Sequence, residues 1–260
     1  MPVPDTSTSV APSGLSVEVW PGNADVEWDK FDSDKYFESN YGKLLREDAE
    51  IIGIVADHFH RFAGQRWRNR AIDVGSGTNL YPGMTMLPFA GEVVLFERAF
   101  TNRQWLEKQL KEPAASWDQF WDEIRRGRPQ YDRIKKPLEQ LRSRAEVTRG
   151  NVFALTPKTY DMGTMFFVSE SITTRMDEFE RATHLFIASL TSRAPFAAAF
   201  MKDSAGYWVA GRKFPACSIN EKDVQRCLEN VALIDDIRVV ESHDLREGYG
   251  GMIVATGRKK

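Results

Sequence analysis

Apolar residues recur three and four positions apart through Leu44, Leu45, Ile52, Val55, Phe59 and Phe62, with Asp48 on the same stripe. That spacing predicts an amphipathic helix with one face on a core. Gly64 is placed to cap its end. The period then changes. Residues 71–74 form a short apolar run that stops at Gly75-Ser76-Gly77, and residues 92–96 form a second run ending at Glu97. Thr101 or Asn102 can cap a short helix through Leu110. In the charged stretch 111–150, Phe120, Trp121 and Ile124 share a helical face while Pro129 and Pro137 punctuate the rest, so two short helices and a strand at 145–147 are expected. Residues 164–169 read as a fully buried strand, and Met176, Phe179, Ala182, Phe186 and Leu190 as a helical stripe. Residues 195–201 read as another buried strand. Asn220 caps a helix with Val224, Cys227, Leu228 and Val231 inward, and 237–241 and 251–256 read as the last two strands. Strands alternating with helices and closing on a strand pair predict an α/β fold, a doubly wound sheet.

Composition removes several alternatives. The 260 residues are 42% hydrophobic, too apolar for a disordered chain, and no apolar run approaches the roughly 18 residues a membrane span needs. Thirty-five basic residues against 37 acidic ones leave a net charge of -2, which argues against a nucleic-acid binder. The basic run Arg125, Arg126, Arg128, Arg133, Lys135 and Lys136 is interleaved with acids and reads as a solvated face. Cys217 and Cys227 make no disulfide framework and read as buried thiols of a reducing compartment. The N-terminus lacks the basic and apolar regions of a secretion signal, so a cytoplasmic location is expected. Residues 1–15 read as a disordered tail and 16–64 as an aromatic cap, carrying Trp20, Trp28, Phe31, Tyr36, Phe37 and Tyr41, followed by the first helix. Residues 65–260 form the sheet domain with a charged helical insert at about 111–144.

The chemistry concentrates at Asp73-Val74-Gly75-Ser76-Gly77-Thr78. Glycines where a strand turns into a loop accept unusual backbone angles and let a ligand approach the main chain. An acid ending the next strand, here Glu97, holds ribose hydroxyls in doubly wound folds. A dinucleotide turn asks for G-x-G-x-x-G, but Leu80 stands at the third glycine and Asp73 would repel a pyrophosphate. The D-x-G-x-G order resembles the S-adenosylmethionine turn of class I methyltransferases, whose sulfonium cofactor tolerates the acid. A plain tight turn is the third reading.

Longer motifs extend this resemblance. Phe31 followed by Tyr36-Phe37-Glu38-Ser39-Asn40-Tyr41 resembles the N-terminal Y-L-x-x-x-Y lid of the nicotinamide, phenylethanolamine and thioether (amine) N-methyltransferase family. Asp73 through Tyr81 is similar to its D-I-G-S-G-P-T-x-Y, and Glu97 through Asn102, with Leu106-Glu107-Lys108 and Lys111-Glu112-Pro113, to its D-x-x-x-x-N, L-E-K and K-E-P. Tyr207-Trp208-Val209-Ala210-Gly211 resembles its Y-Y-x-x-G. The likeness spans 28–258. It implies a mostly parallel seven-stranded Rossmann-like sheet with an N-terminal helical lid, S-adenosylmethionine as cofactor, S-adenosylhomocysteine as product and a small-molecule methyl acceptor. It also implies site residues: Tyr36 and Tyr41 in the lid, Gly75, Ser76 and Gly77 under the methionine part, Thr78 and Tyr81 beside it, Glu97 on the ribose, Asn102 on the adenosine, and Asn151 and Val152 beside the adenine. Thr78 departs from the family's proline, Met201 stands where nicotinamide-type enzymes place an acid, and Ala205 replaces a serine. Nicotinamide is therefore not the expected acceptor.

Methyl transfer from a sulfonium is an in-line displacement that needs positioning and exclusion of water, not a nucleophilic side chain or a metal. Asp203 and Tyr36 are the candidate catalytic residues, Asp203 as an acid that binds an ammonium or takes a proton, or else as a solvated loop acid. Tyr36, Tyr207 and Trp208 can face a cationic amine through their rings, or pack a core. Ser169-Glu170-Ser171 follows a buried strand and can touch adenosine or substrate, or cap a helix. His58 and His60 cannot share a metal on one helical face, and His243-Asp244 is either a base with its neighbour or a turn. The expectation is N-methylation of a small molecule by a protein whose size permits a monomer, with no nucleic-acid or membrane partner. Methylation of oxygen, sulfur or carbon, a non-catalytic ligand sensor, and a nicotinamide-dinucleotide oxidoreductase are the alternatives.

Overall fold

The computed structural model describes residues 22–63, 68–241 and 250–260. The 1–15 tail, Trp20, Gly64 and the His243-Asp244 pair lie outside the described residues. In chain order the helices are α1 Ser33–Asn40, α2 Arg46–Phe62, α3 Tyr81–Met86, α4 Phe100–Lys111, α5 Trp117–Arg125, α6 Pro137–Arg144, α7 Met176–Ser189 and α8 Glu221–Leu228. The strands are β1 Arg68–Val74, β2 Ala90–Glu97, β3 Ala145–Arg149, β4 Met162–Phe166, β5 Pro195–Met201, β6 Tyr207–Val209, β7 Arg212–Phe214, β8 Ala232–Val240 and β9 Met252–Lys259. Seven strands form one sheet in the order β3-β2-β1-β4-β5-β9-β8. The first five are parallel, and β9 inserts antiparallel between β5 and β8. This is the class I methyltransferase sheet, and β6 and β7 form a separate small hairpin.

The two-residue period of a strand splits the apolar side chains between two cores. Ala71, Val93, Leu95, Ala197 and Ala199 face the core under α2, α3 and α5, while Ile72, Val74, Val94, Phe196, Ala198 and Phe200 face the core under α7 and α8. Ala197 and Ala199 of β5 lie on the face crossed by α2. The stripe predicted on α2 is buried as Ile52, Val55 and Phe59, and the expected face of α5 is buried as Phe120, Trp121 and Ile124, joined by Trp117.

Several boundaries differ from the pattern-based expectation. The strand read at 164–169 ends at Phe166, because Phe167 adopts φ 57° and turns the chain out of the sheet. The N-cap of α4 is Ala99 rather than Thr101 or Asn102, and Asn102 points its side chain to Glu97 instead. β8 begins at Ala232, well before the run read at 237–241, and β9 continues to Lys259, past the run read at 251–256. The α8 cap is as read: Asn220 and Asp223 form a reciprocal capping box.

Candidate active site

The strand order reverses between β1 and β4, which opens a crevice at the carboxyl ends of the sheet. A cavity lies there, where open α/β sheets bind ligands, with a lining that mixes aromatic rings and a few polar groups. Its floor is the turn after β1. Gly75 and Gly77 hold φ of 67° and 56°, and Gly75 donates its N–H to Phe96 O at 2.7 Å. A Cβ on Gly75 would meet Val168 at 2.5 Å, so this turn has no room for a side chain. Ser76 Oγ donates back to Asp73 O at 3.0 Å.

Two buried acids flank the turn. Glu97 Oε2 accepts the Gly77 N–H at 2.8 Å and Oε1 accepts the Ala99 N–H at 2.7 Å. Burial raises the Glu97 carboxyl above its usual range, against the pull of those N–H groups and the Asn102 side chain. Asp73 is 1% exposed. Thr164 Oγ1 donates to its Oδ1 at 2.7 Å while Oδ2 has no partner, and burial pushes this carboxyl up to about 7. Thr78 Oγ1, in the same wall, is also buried without a partner. Such orphaned polar atoms beside a cavity are groups a ligand would satisfy. Two acids and a Gly77 N–H already engaged make a poor pyrophosphate cradle. They suit a cofactor with hydroxyl and ammonium donors and a sulfonium charge.

Most of the residues nominated from the sequence meet in this cavity. Tyr36, Tyr41, Gly75, Ser76, Gly77, Thr78, Glu97, Asn102, Asn151, Val152 and Tyr207 all line it. Asn151 Oδ1 accepts the Phe153 N–H at 3.0 Å and so fixes the turn that carries Val152. Three nominated residues are placed elsewhere. Tyr81 lies one layer down, stacked on Phe120 at 5.6 Å with its hydroxyl on Asp48. Trp208 is 66% exposed, because side chains alternate along β6 and Tyr207 and Val209 turn inward. Asp203 is exposed after β5, at φ 52°, and does not line the cavity.

One wall of the cavity is aromatic. Tyr36 stands 5.1 Å from Phe31, 6.2 Å from Tyr41 and 6.4 Å from Tyr207 between ring centroids. Trp28, Phe166, Phe167 and Met201 complete this wall. Behind it sits Glu170, fully buried, with Oε1 on the Met201 N–H at 2.9 Å and Oε2 unpartnered. Burial pushes its carboxyl up to about 8. Ser171, next in the chain, lines the cavity and hydrogen-bonds Tyr207. Sequence reasoning placed the Ser169-Glu170-Ser171 triplet at a ligand-facing strand end without singling out Glu170, and it missed Asn23, Arg98 and the two phenylalanines. Among the described residues no group of His, Cys, Asp or Glu could hold a metal ion, and no helix is long and apolar enough to cross a membrane.

A family model described as the NNMT/PNMT/TEMT family matches residues 23–260. The chain belongs to this family. It is an S-adenosylmethionine-dependent methyltransferase. No curated protein matches the sequence. Among solved structures, an S-adenosylmethionine-dependent methyltransferase from Methanosarcina mazei has the same fold at TM-score 0.55, with 14% identity, covering 84% of this chain and 98% of that one. The 1,6-didemethyltoxoflavin N1-methyltransferase of Burkholderia thailandensis, crystallised with 1,6-didemethyltoxoflavin and S-adenosylhomocysteine, is 16% identical over 86% of each chain at TM-score 0.49. The N-methyltransferase NodS of Bradyrhizobium japonicum, bound to S-adenosylhomocysteine, is 8% identical over 79% of this chain and 85% of that one at TM-score 0.47.

Proposed function

We propose that this methyltransferase acts on a nitrogen of a small amine, held in the aromatic chamber and shut from water by the N-terminal strap of residues 22–41. The cofactor, when bound, supplies an electrophilic methyl group on a sulfonium. In this reading Gly75, Ser76, Gly77, Thr78 and Asp73 hold its amino-acid end, Glu97 and Asn102 its ribose, and Asn151 and Val152 its adenine. Tyr36 and Tyr207 present ring faces and hydroxyls to the acceptor, and Phe31 and Tyr41 fix Tyr36.

Glu170 is the observation that carries the choice of nitrogen. A buried carboxyl raised to about 8 exchanges its proton near neutral pH, and as a carboxylate behind aromatic rings it favours a cationic ammonium over a neutral phenol. Its unpartnered Oε2 is available to receive that proton, and Ser171, the next residue, lines the chamber. Asp203, outside the cavity, has no part in this reading.

The test is methyl uptake from labelled cofactor across a panel of amines, phenols and thiols. Amines are expected to be labelled. Labelling confined to phenols or thiols would overturn the nitrogen assignment and leave the aromatic chamber to serve another acceptor.

A further inference from the structure

We propose that Asn23 is a positioning residue that latches the strap over the adenosine end of the cavity and thereby sets how fast the product S-adenosylhomocysteine leaves. The inference rests on the strap-closed reading above, and it concerns residues to which the motifs assign no role.

Asn23 is 4% exposed and lines the cavity, as do Trp28 and Arg98. Its backbone N–H donates to Glu178 Oε2 on α7 at 3.0 Å. Its carbonyl O and its side-chain Oδ1 both accept from Arg98 Nη1, at 3.0 and 2.9 Å. The same two oxygens accept from Trp28 Nε1, each at 3.1 Å. One residue thus ties the start of the strap to α7, to the end of β2 and to an aromatic of the chamber wall.

Arg98 directly follows Glu97 and is the cationic residue among the described residues lining the cavity. A guanidinium is a planar fork of donors, and two acceptor oxygens from one residue fix its orientation. Hydrogen bonds to a charged donor are stronger than neutral ones. Two of the bonds to Arg98 and the bond to Glu178 cross from the strap to the sheet domain, so opening the strap at this end breaks all three. Of the other strap hydrogen bonds, Asp29 to the Phe100 N–H at 2.6 Å and Glu27 to Arg212 at 3.2 Å are exposed, and water replaces them on opening at little cost, while the buried bond from Ser33 Oγ to Asn102 Oδ1 at 2.8 Å holds α1 further along the strap.

The experiment measures S-adenosylhomocysteine release by stopped flow and hydrogen exchange of residues 22–40 with and without that ligand. Asn23→Ala is expected to release the ligand about tenfold faster, with association changed less than about threefold. The melting temperature of the ligand-free variant should stay within about 2 °C of the wild type, which a merely structural residue would not allow. Arg98→Met, which keeps the apolar stem and loses the donating nitrogen, should resemble Asn23→Ala. Glu178→Gln, which keeps an acceptor for the Asn23 N–H, should resemble the wild type. If the wild-type strap gains no protection on binding, strap closure fails and the latch fails with it. If the wild type gains protection and Asn23→Ala matches it in protection and release rate, the latch alone is overturned.

Discussion

At φ 52°, Asp203 turns the chain out of β5 and leaves its carboxyl on the surface, while Glu170, on the loop after β4, is buried behind the chamber. Linear spacing brought Asp203 close to the position where related enzymes carry an acid, but it could not show that the backbone reverses its hand between Met201 and the carboxyl. The same limit applies to Tyr81, whose motif position is legible but whose hydroxyl goes to Asp48. The glycine turn, Glu97 and Asn102 were legible as cavity-lining positions because their places follow from strand ends and local angles. Asparagine adopts left-handed backbone angles readily. Asp203→Asn is therefore expected to leave S-adenosylhomocysteine affinity by calorimetry and methyl-transfer turnover within about twofold of the wild type. A tenfold loss of turnover would return Asp203 to the site.

Helices and long strands announced themselves through period and caps, but the elements that close the chamber did not. β6 and β7 are three residues each, too short to show a two-residue period. Their value lies in contacts distant in sequence: Phe214 stacks on Trp28 at 5.7 Å and on Tyr207 at 5.5 Å, and meets Phe31 edge-on at 5.2 Å. The hairpin is thus the surface on which the strap rests. Comparison with α8, which packs on α7 away from the cavity, isolates that role. Phe214→Ala removes a fully buried ring at a cost of about 3 kcal/mol, and Asn220→Ala removes the α8 cap at about 1 kcal/mol. Both variants should melt earlier than the wild type. Only Phe214→Ala should raise the KM for the acceptor, by about tenfold, while the cofactor Kd shifts less; steady-state kinetics with calorimetry checks this. An equal rise in KM for Asn220→Ala would mean that general loosening, not the hairpin, governs the chamber.

Across the whole molecule, the buried titratable groups pull stability in opposite directions with pH. His58 on α2, with Nε2 on Gly257 O, is pushed down to about 4 by burial. The unfolded chain then binds the extra proton, so this group's stabilisation is complete above about 6.5 and is lost as pH falls toward 4, a limit of about 3 kcal/mol. Glu170, at about 8, and Asp73, at about 7, lie above their unfolded values. Here the folded protein binds the extra protons. Their stabilisation is complete below about pH 4 and is lost as pH rises, until a buried, unpaired carboxylate must be carried above pH 8. For Glu170 the limit is about 5 kcal/mol. Glu170→Gln mimics the protonated carboxyl: its amide oxygen keeps an acceptor for the Met201 N–H, and no charge develops. Wild type and variant should melt together near pH 4.5 and diverge above it. At pH 9 the variant should melt at least about 5 °C higher, since roughly 2–4 °C accompanies each kcal/mol in a chain of this size. Its amine methylation should fall at the same time, because the carboxylate that costs stability is the one assigned to take the acceptor's proton. Parallel melting curves across this range would remove Glu170 as a perturbed buried acid. Divergent curves with unchanged methylation would keep the perturbed acid and remove its catalytic assignment.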